Sequence, residues 1–151
     1  MDPREELRNH LKPAVLVAAA LGASMAVYFV LVEVLRRARP PFAGISGPGT
    51  DAQPFRYAAY GLAALVVLLI LVLRPRLFRR RDADDLPAAL RRIQSASLIM
   101  LVLGEVPAVA GLALFLVAGQ VLDFYKLLFV SLFLTFLNFP RAGAWEEWLK
   151  G

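Results

Sequence analysis

The chain has 151 residues, of which 59% are hydrophobic, and it carries a net charge of +5. A soluble domain of this length could not bury so much apolar surface, so the composition indicates that lipid is the solvent. The sequence has no cysteine and one histidine, His10. These counts exclude disulfides, thiol nucleophiles and cysteine-ligated metals, and we expect His10 to be a solvated side chain. The arginines flank apolar runs, which favours anchoring at a membrane surface over binding of nucleic acid.

The first apolar run follows a polar segment of mixed charge. The 20 residues 13–32 contain two polar side chains, those of Ser24 and Tyr28. About 20 apolar residues cross a bilayer as a helix, so we predict a first span over about residues 13–35. We expect no cleaved signal peptide, because the apolar run is too long and acidic residues precede it.

The second predicted span follows a loop rich in glycine and proline. Residues 36–56 contain four prolines and three glycines, which break regular structure, and we predict that they form an outer loop. Residues 57–73 are apolar apart from their tyrosines and predict a short second span.

Two further spans complete the predicted bundle. An arginine-rich loop, residues 74–92, leads to a third span over about residues 94–118, and a Gly-Gln turn leads to a fourth over about 121–139. Asp123 and Lys126, three residues apart at the outer end of the fourth span, can pair. We therefore expect an all-α fold, a four-helix transmembrane bundle that forms a single membrane domain over the whole chain.

The tail and the distribution of charge predict the topology. Trp145, Trp148 and Leu149 are spaced three and four residues apart, which favours a short helix lying in the membrane interface. Of the 17 lysines and arginines, twelve lie in the N-terminal segment, the loop 74–92 and the tail. The positive-inside rule therefore places both termini in the cytoplasm, and we expect a bacterial inner membrane. On the outer side Glu33 can pair with Arg37, one turn on.

Glu105 is the strongest candidate for a functional residue in the sequence. It interrupts the apolar part of the third span, where a carboxylate must face the bundle interior, be protonated or be paired. Pro107 lacks an N–H and predicts a kink that leaves the carbonyl of Leu103 without its usual partner. A freed carbonyl beside a buried carboxyl is typical of a proton or small-cation site in interrupted helices.

The fourth span offers polar neighbours for this carboxyl. If the two last spans form an antiparallel hairpin, Thr135 lies at nearly the depth of Glu105. Ser131 and Asn138 share the face of Thr135 at spacings of four and three, so these three residues are the predicted polar shell of the site. A protonated glutamate bonded to such side chains can also simply hold helices together, and both readings stay open.

One part of the chain is similar to a known family. The matching residues are Leu86-Pro87, Arg91-Arg92, Leu103-Gly104-Glu105-Val106-Pro107-Ala108 and Gly111-Leu112. Residues 86–118 resemble the second half of the proteolipid rotor subunit (subunit c) of F-type ATP synthases. The resemblance implies that Glu105 carries the translocated proton or sodium ion and that the arginine-rich loop faces a cytoplasmic partner.

Three classes of function follow from these features. The first is a structural accessory subunit of a larger membrane complex, with lipid and other membrane subunits or copies of itself as partners. The alternative is a proton- or cation-translocating element, rotor-like or channel-like, that uses Glu105. An enzyme is not expected, because we see no nucleophile–base pair, no metal-ligand spacing and no phosphate-cradling loop, and we expect no cofactor. The candidate contacts to lipid or a partner are Arg79, Arg80, Arg81, Trp145 and Trp148.

Overall fold

A computed structural model describes residues 3–49, 51–78 and 86–141, together with residues 143, 145 and 147. Over this part of the chain the regular structure is helical, with no strand. The helices are α1 (Pro3–Ala38), α2 (Gln53–Leu77), α3 (Leu86–Ala118) and α4 (Val121–Leu137). The all-helical prediction is thus confirmed for the described residues.

The helices extend beyond the predicted spans because polar residues continue the apolar runs as further helical turns. α1 begins ten residues before the predicted first span and contains Pro13, and α2 begins within the predicted loop with a proline in its first turn. A proline is tolerated there because the first N–H groups of a helix have no partner within it. α3 continues from Leu86 through Pro107, so this proline does not end the helix, and the expected kink stays a prediction.

Three of the helices are long and apolar enough to cross a membrane, over Arg8–Ala38, Gln53–Leu77 and Pro87–Ala118. α4 has 17 residues. At a rise of about 1.5 Å per residue it is roughly 25 Å long, slightly shorter than a hydrocarbon core of about 30 Å. Whether α4 forms a fourth span stays a prediction.

α3 is the central helix. It packs against each of the other three, whereas α1 and α2 make no substantial contact with each other. In its most apolar stretch 44% of the residues are buried, compared with 17% for α1 and 22% for α2. Gly111 allows the close approach of α4, because a side-chain carbon there would lie 3.0 Å from Cβ of Leu127.

The glycine- and proline-rich loop closes one end of the bundle, which we call the loop end. The N–H of Ile45 donates to the carbonyl of Leu116 (2.8 Å), and the N–H of Ser46 donates to that of Val117 (3.2 Å). These bonds satisfy carbonyls in the last turn of α3 that have no partner within the helix. Gly44 has a φ of +82°, and a side-chain carbon there would clash with the carbonyl of Val117. The loop is therefore docked on the turn between α3 and α4.

The opposite end, the tail end, is packed by a tryptophan. Trp145 is 2% exposed and lies in a cluster with Ala14, Leu90 and Ile93. We expected Trp145 to contact lipid or a partner. It instead belongs to the protein core, because the chain after Pro140 turns back onto α1 and α3. Trp148 and Leu149 lie outside the described residues, so the predicted interfacial helix stays a prediction.

Candidate functional site

The carboxyl of Glu105 is held by two hydroxyl groups of α1. Ser24 Oγ lies 2.5 Å and Tyr28 Oη 2.8 Å from the same carboxyl oxygen, Oε1. Because Ser24 and Tyr28 are four residues apart, they lie one above the other on one face of α1. The two polar side chains of the first apolar run thus converge on the one charged residue of the third.

The hydrogen count at Ser24 bears on the state of this carboxyl. The single hydroxyl hydrogen of Ser24 has two acceptors, Glu105 Oε1 and the carbonyl of Leu21 at 2.7 Å. If Ser24 donates to Glu105, a carboxylate accepts two hydrogen bonds. If Ser24 donates to Leu21, its short contact with Oε1 is a hydrogen bond only when the carboxyl supplies a proton. The geometry accommodates either state of Glu105.

The predicted polar shell on α4 does not meet the carboxyl. Ser131 Oγ accepts a hydrogen bond from the N–H of Ala108 (2.7 Å) and lies 3.4 Å from the backbone carbonyl of Glu105. Asn138 donates to the carbonyl of Leu134 (2.8 Å) and caps α4. The hydroxyl of Thr135 is buried without a partner. Thr135 was predicted to lie at nearly the depth of Glu105, and this prediction concerned depth alone. The side chain of Glu105 leaves α3 on the face that packs against α1.

Ser131 has a different position from the expected one. It lies beside the proline of α3 and bonds to backbone atoms on both sides of it, Ala108 N and Glu105 O. A proline removes one backbone donor and weakens the helical pattern around it. Ser131 thus links α4 to α3 at this weakened turn, and its contact with Glu105 is through the backbone.

One strip of α3 stays uncovered next to the carboxyl. Ile99, Val102 and Val109 are 43%, 55% and 47% exposed, although α3 is the central helix. Glu105 is half-buried and lies three and four residues from the last two, on the same face. The carboxyl is held by α1, whereas the adjacent Val106 packs against a cluster that includes Val66 and Ile70 of α2. This surface, which we call the α3 strip, therefore lies between α1 and α2 with Glu105 at its edge.

Two further carboxylates occupy interhelical positions at the loop end. Asp123 of α4 is buried, accepts a hydrogen bond from Tyr60 (2.8 Å) and forms an ion pair with Arg56 Nε (2.8 Å). Lys126 lies 3.8 Å from the same carboxylate, as the spacing predicts. Arg56 and Tyr60 lie one turn apart on α2, and this spacing is the signal by which the sequence could have revealed the pair.

Glu33 of α1 completes the pattern. It accepts a hydrogen bond from Tyr125 of α4 and pairs with Arg36 (2.9 Å) and Arg37 (3.4 Å). The pairing with Arg37 agrees with the expectation. Tyr125 was missed, because the sequence alone does not show that α1 and α4 are in contact. Each of the three interhelical carboxyl groups therefore accepts a hydrogen bond from a tyrosine.

The other predicted residues divide into two groups. Arg79, Arg80 and Arg81 lie outside the described residues, as does Trp148. His10 is half-buried and its Nδ1 lies 2.9 Å from Oε1 of Gln94, so it links α1 to α3 and is not the solvated side chain that we expected. Among the described residues no three side chains of the metal-binding types come together.

No family model matches the chain, and we find no significant match among curated proteins or among solved structures.

Proposed function

We propose that this protein is a non-catalytic accessory subunit of a larger membrane complex, and that a transmembrane helix of another subunit covers the α3 strip. The uncovered strip is the observation that carries this proposal. A bundle closed on itself would bury its central helix on all sides, but this one leaves the interval between α1 and α2 open.

The position of Glu105 supports a protein partner over lipid alone. Glu105 is half-buried at the edge of the α3 strip, and contact between its carboxyl and acyl chains costs free energy. A packed helix that offers polar or small side chains lowers that cost. The carboxylates of Glu33 and Asp123, in contrast, are paired inside the chain. The remaining outer surface of α1, α2 and α4 is rich in exposed leucine, valine and phenylalanine, which suits lipid.

Site-directed photo-crosslinking in the native membrane tests the accessory role. A photoreactive phenylalanine analogue at Val102 or Val109 should form a discrete adduct with another subunit. The same analogue at Phe133, exposed on α4, is the matched control and should give lipid adducts. An adduct with a second copy of this chain, or equal labelling by lipid at both sites, would contradict the proposal.

The second candidate function is proton or cation translocation through Glu105, as the resemblance to the rotor subunit implies. Three observations favour it. The oxygen atoms of Ser24 and Tyr28 surround one carboxyl oxygen, and among the described residues no basic side chain pairs with Glu105. Glu105 is also half-exposed at the α3 strip, which leaves a route by which a proton or cation can reach the carboxyl.

Proton flux into liposomes distinguishes this candidate. Glu105→Gln preserves the shape of the side chain and an acceptor oxygen but removes the exchangeable proton. If the carboxyl carries protons, this variant abolishes flux while assembly continues, and Asp123→Asn leaves flux unchanged. Equal flux in the wild type and in Glu105→Gln would exclude the translocating role and leave the accessory role intact.

The proposed topology has α4 as a fourth span and both termini in the cytoplasm of a bacterium. The excess of lysine and arginine at the tail end supports this orientation. The exposed apolar face of α4, with Phe129, Phe133 and Phe136, supports membrane insertion. A cysteine introduced at Ile45 should react with an impermeant maleimide added to the outer side of the membrane. A cysteine at Arg91 should react only with reagent added to the cytoplasmic side. Reaction of both from the same side would exclude the four-span topology.

A further inference from the structure

A cavity of about 350 Å³ opens at the tail end of the bundle, away from Glu105. It lies where α2 and α4 end and α3 passes between them. Its walls are mostly aromatic and aliphatic, and its uncharged polar residues are the buried Ser97 and the half-buried Asn138. Two arginines, Arg74 and Arg141, line it as well.

These two arginines differ from those at the loop end. Arg36, Arg37 and Arg56 each pair with a carboxylate. Within the described part of the chain neither Arg74 nor Arg141 has a carboxylate partner, and Arg141 lies over the ring of Phe136, 5.3 Å from its centre. Among the described residues, none that lines the cavity is acidic. The described residues therefore give this concave surface positive charge and contribute no counter-ion.

We propose that this cavity binds a phosphate group, with Arg74 and Arg141 as its cationic ligands and Ser97 and Asn138 as hydrogen-bond partners. Guanidinium groups match the planar geometry of phosphate oxygens and bind them with charge-assisted hydrogen bonds. The phosphate can belong to a lipid headgroup or to a soluble compound.

Two features favour a headgroup as the source. The arginines lie at the ends of apolar helices, the depth at which headgroups are found. Leu137 and Phe139 line the cavity and are also exposed to the outside, so an acyl chain can continue from the cavity along the surface of α4.

Binding measurements on the full chain in detergent test this site. Native mass spectrometry would count retained phosphatidylglycerol, and isothermal titration with inorganic phosphate would test the soluble source. The double variant Arg74→Gln, Arg141→Gln should weaken binding at least tenfold. The matched control is Arg76→Gln, Arg91→Gln, which removes the same charge from exposed positions at the same end, outside the cavity, and should change affinity less than about twofold.

Each outcome decides the proposal. One retained lipid that is lost in the double variant and that phosphate does not displace establishes a headgroup site. Binding of inorganic phosphate with the same dependence on the arginines establishes a site for a soluble phosphate compound. No saturable binding of either probe by the wild type, or equal losses in the double variant and the control, would overturn the site. The wild-type measurement stands even if a variant fails to fold.

Discussion

The carboxyl in the middle of the bundle and the carboxylates at its loop end have different partners. Within the described part of the chain, the carboxyl of Glu105 is held by hydroxyl groups, those of Ser24 and Tyr28. Asp123 accepts a hydrogen bond from Tyr60 and also pairs with Arg56. Glu33 likewise combines Tyr125 with flanking arginines.

The difference follows from depth. Near the end of the helices an arginine can keep its head in water or among headgroups while it pairs with a carboxylate. In the middle of the apolar run a second full charge would also have to be desolvated, and hydroxyl groups satisfy a carboxyl at a lower cost. The loop-end carboxylates thus belong to ion pairs, whereas no basic side chain among the described residues pairs with Glu105.

The largest effect on stability is expected from Arg56→Ala. It leaves the buried carboxylate of Asp123 without its ion-pair partner. We expect a loss of about 2 kcal/mol in the free energy of unfolding. This is less than for a fully buried pair, because the side chain of Arg56 is 41% exposed. Denaturation of the purified protein in detergent measures it. Adding Asp123→Asn should cause little further loss, because it removes the buried carboxylate that Arg56→Ala leaves unpaired. Additive losses would show that the pair is not coupled.

A matched pair of isosteric variants tests the comparison directly. Asp123→Asn replaces a charge-assisted pair with neutral hydrogen bonds and should cost about 1.5 kcal/mol. Glu105→Gln keeps a carbonyl that can accept hydrogen bonds from Ser24 and Tyr28, and should cost less than about 0.5 kcal/mol. Both are read from the same denaturation curves. A larger loss for Glu105→Gln than for Asp123→Asn would contradict the view that the charge matters more for stability at Asp123 than at Glu105.

Removal of the Tyr28 hydroxyl tests whether Glu105 links α1 to α3. Tyr28→Phe keeps the ring and removes one of the two hydrogen bonds to the carboxyl, so we expect a loss of about 1 kcal/mol. In a Glu105→Leu background the same change should have almost no effect, since the acceptor is gone. An unchanged cost in that background would mean that the hydroxyl acts elsewhere. Tyr57→Phe, on an exposed tyrosine, is the control.

The smallest effect is expected from Arg37→Ala. This side chain is 78% exposed, and its partner Glu33 keeps Arg36 and Tyr125. Exposed ion pairs contribute little, so we expect no measurable change in the midpoint of denaturation. A loss comparable to that of Arg56→Ala would show that the loop-end ion pairs act as one network.

The sequence by itself predicted the helices and identified Glu105 as the charged residue within the third apolar run. Runs of apolar residues long enough to cross a bilayer require internally satisfied backbone bonds, and helices provide them locally. The same runs make Glu105 conspicuous. The arginine-rich loop 74–92 and the end of the tail were also recognised by composition. The structure places residues 74–77 in α2 and residues 86–92 in α3, whereas residues 79–85 and residues 148–151 lie outside the described residues.

Only the tertiary structure decided which side chains meet the carboxyl. Counting along the chain from the turn between α3 and α4 gives the depth of a residue, so Thr135 was placed level with Glu105. It does not give the direction in which a side chain leaves the helix relative to its neighbours. That direction depends on how α1 packs against α3, in a core cluster that brings together residues distant in sequence, such as Met25 and Ala108. Ser24 and Tyr28 became the partners of Glu105 because this packing turns their face of α1 toward it.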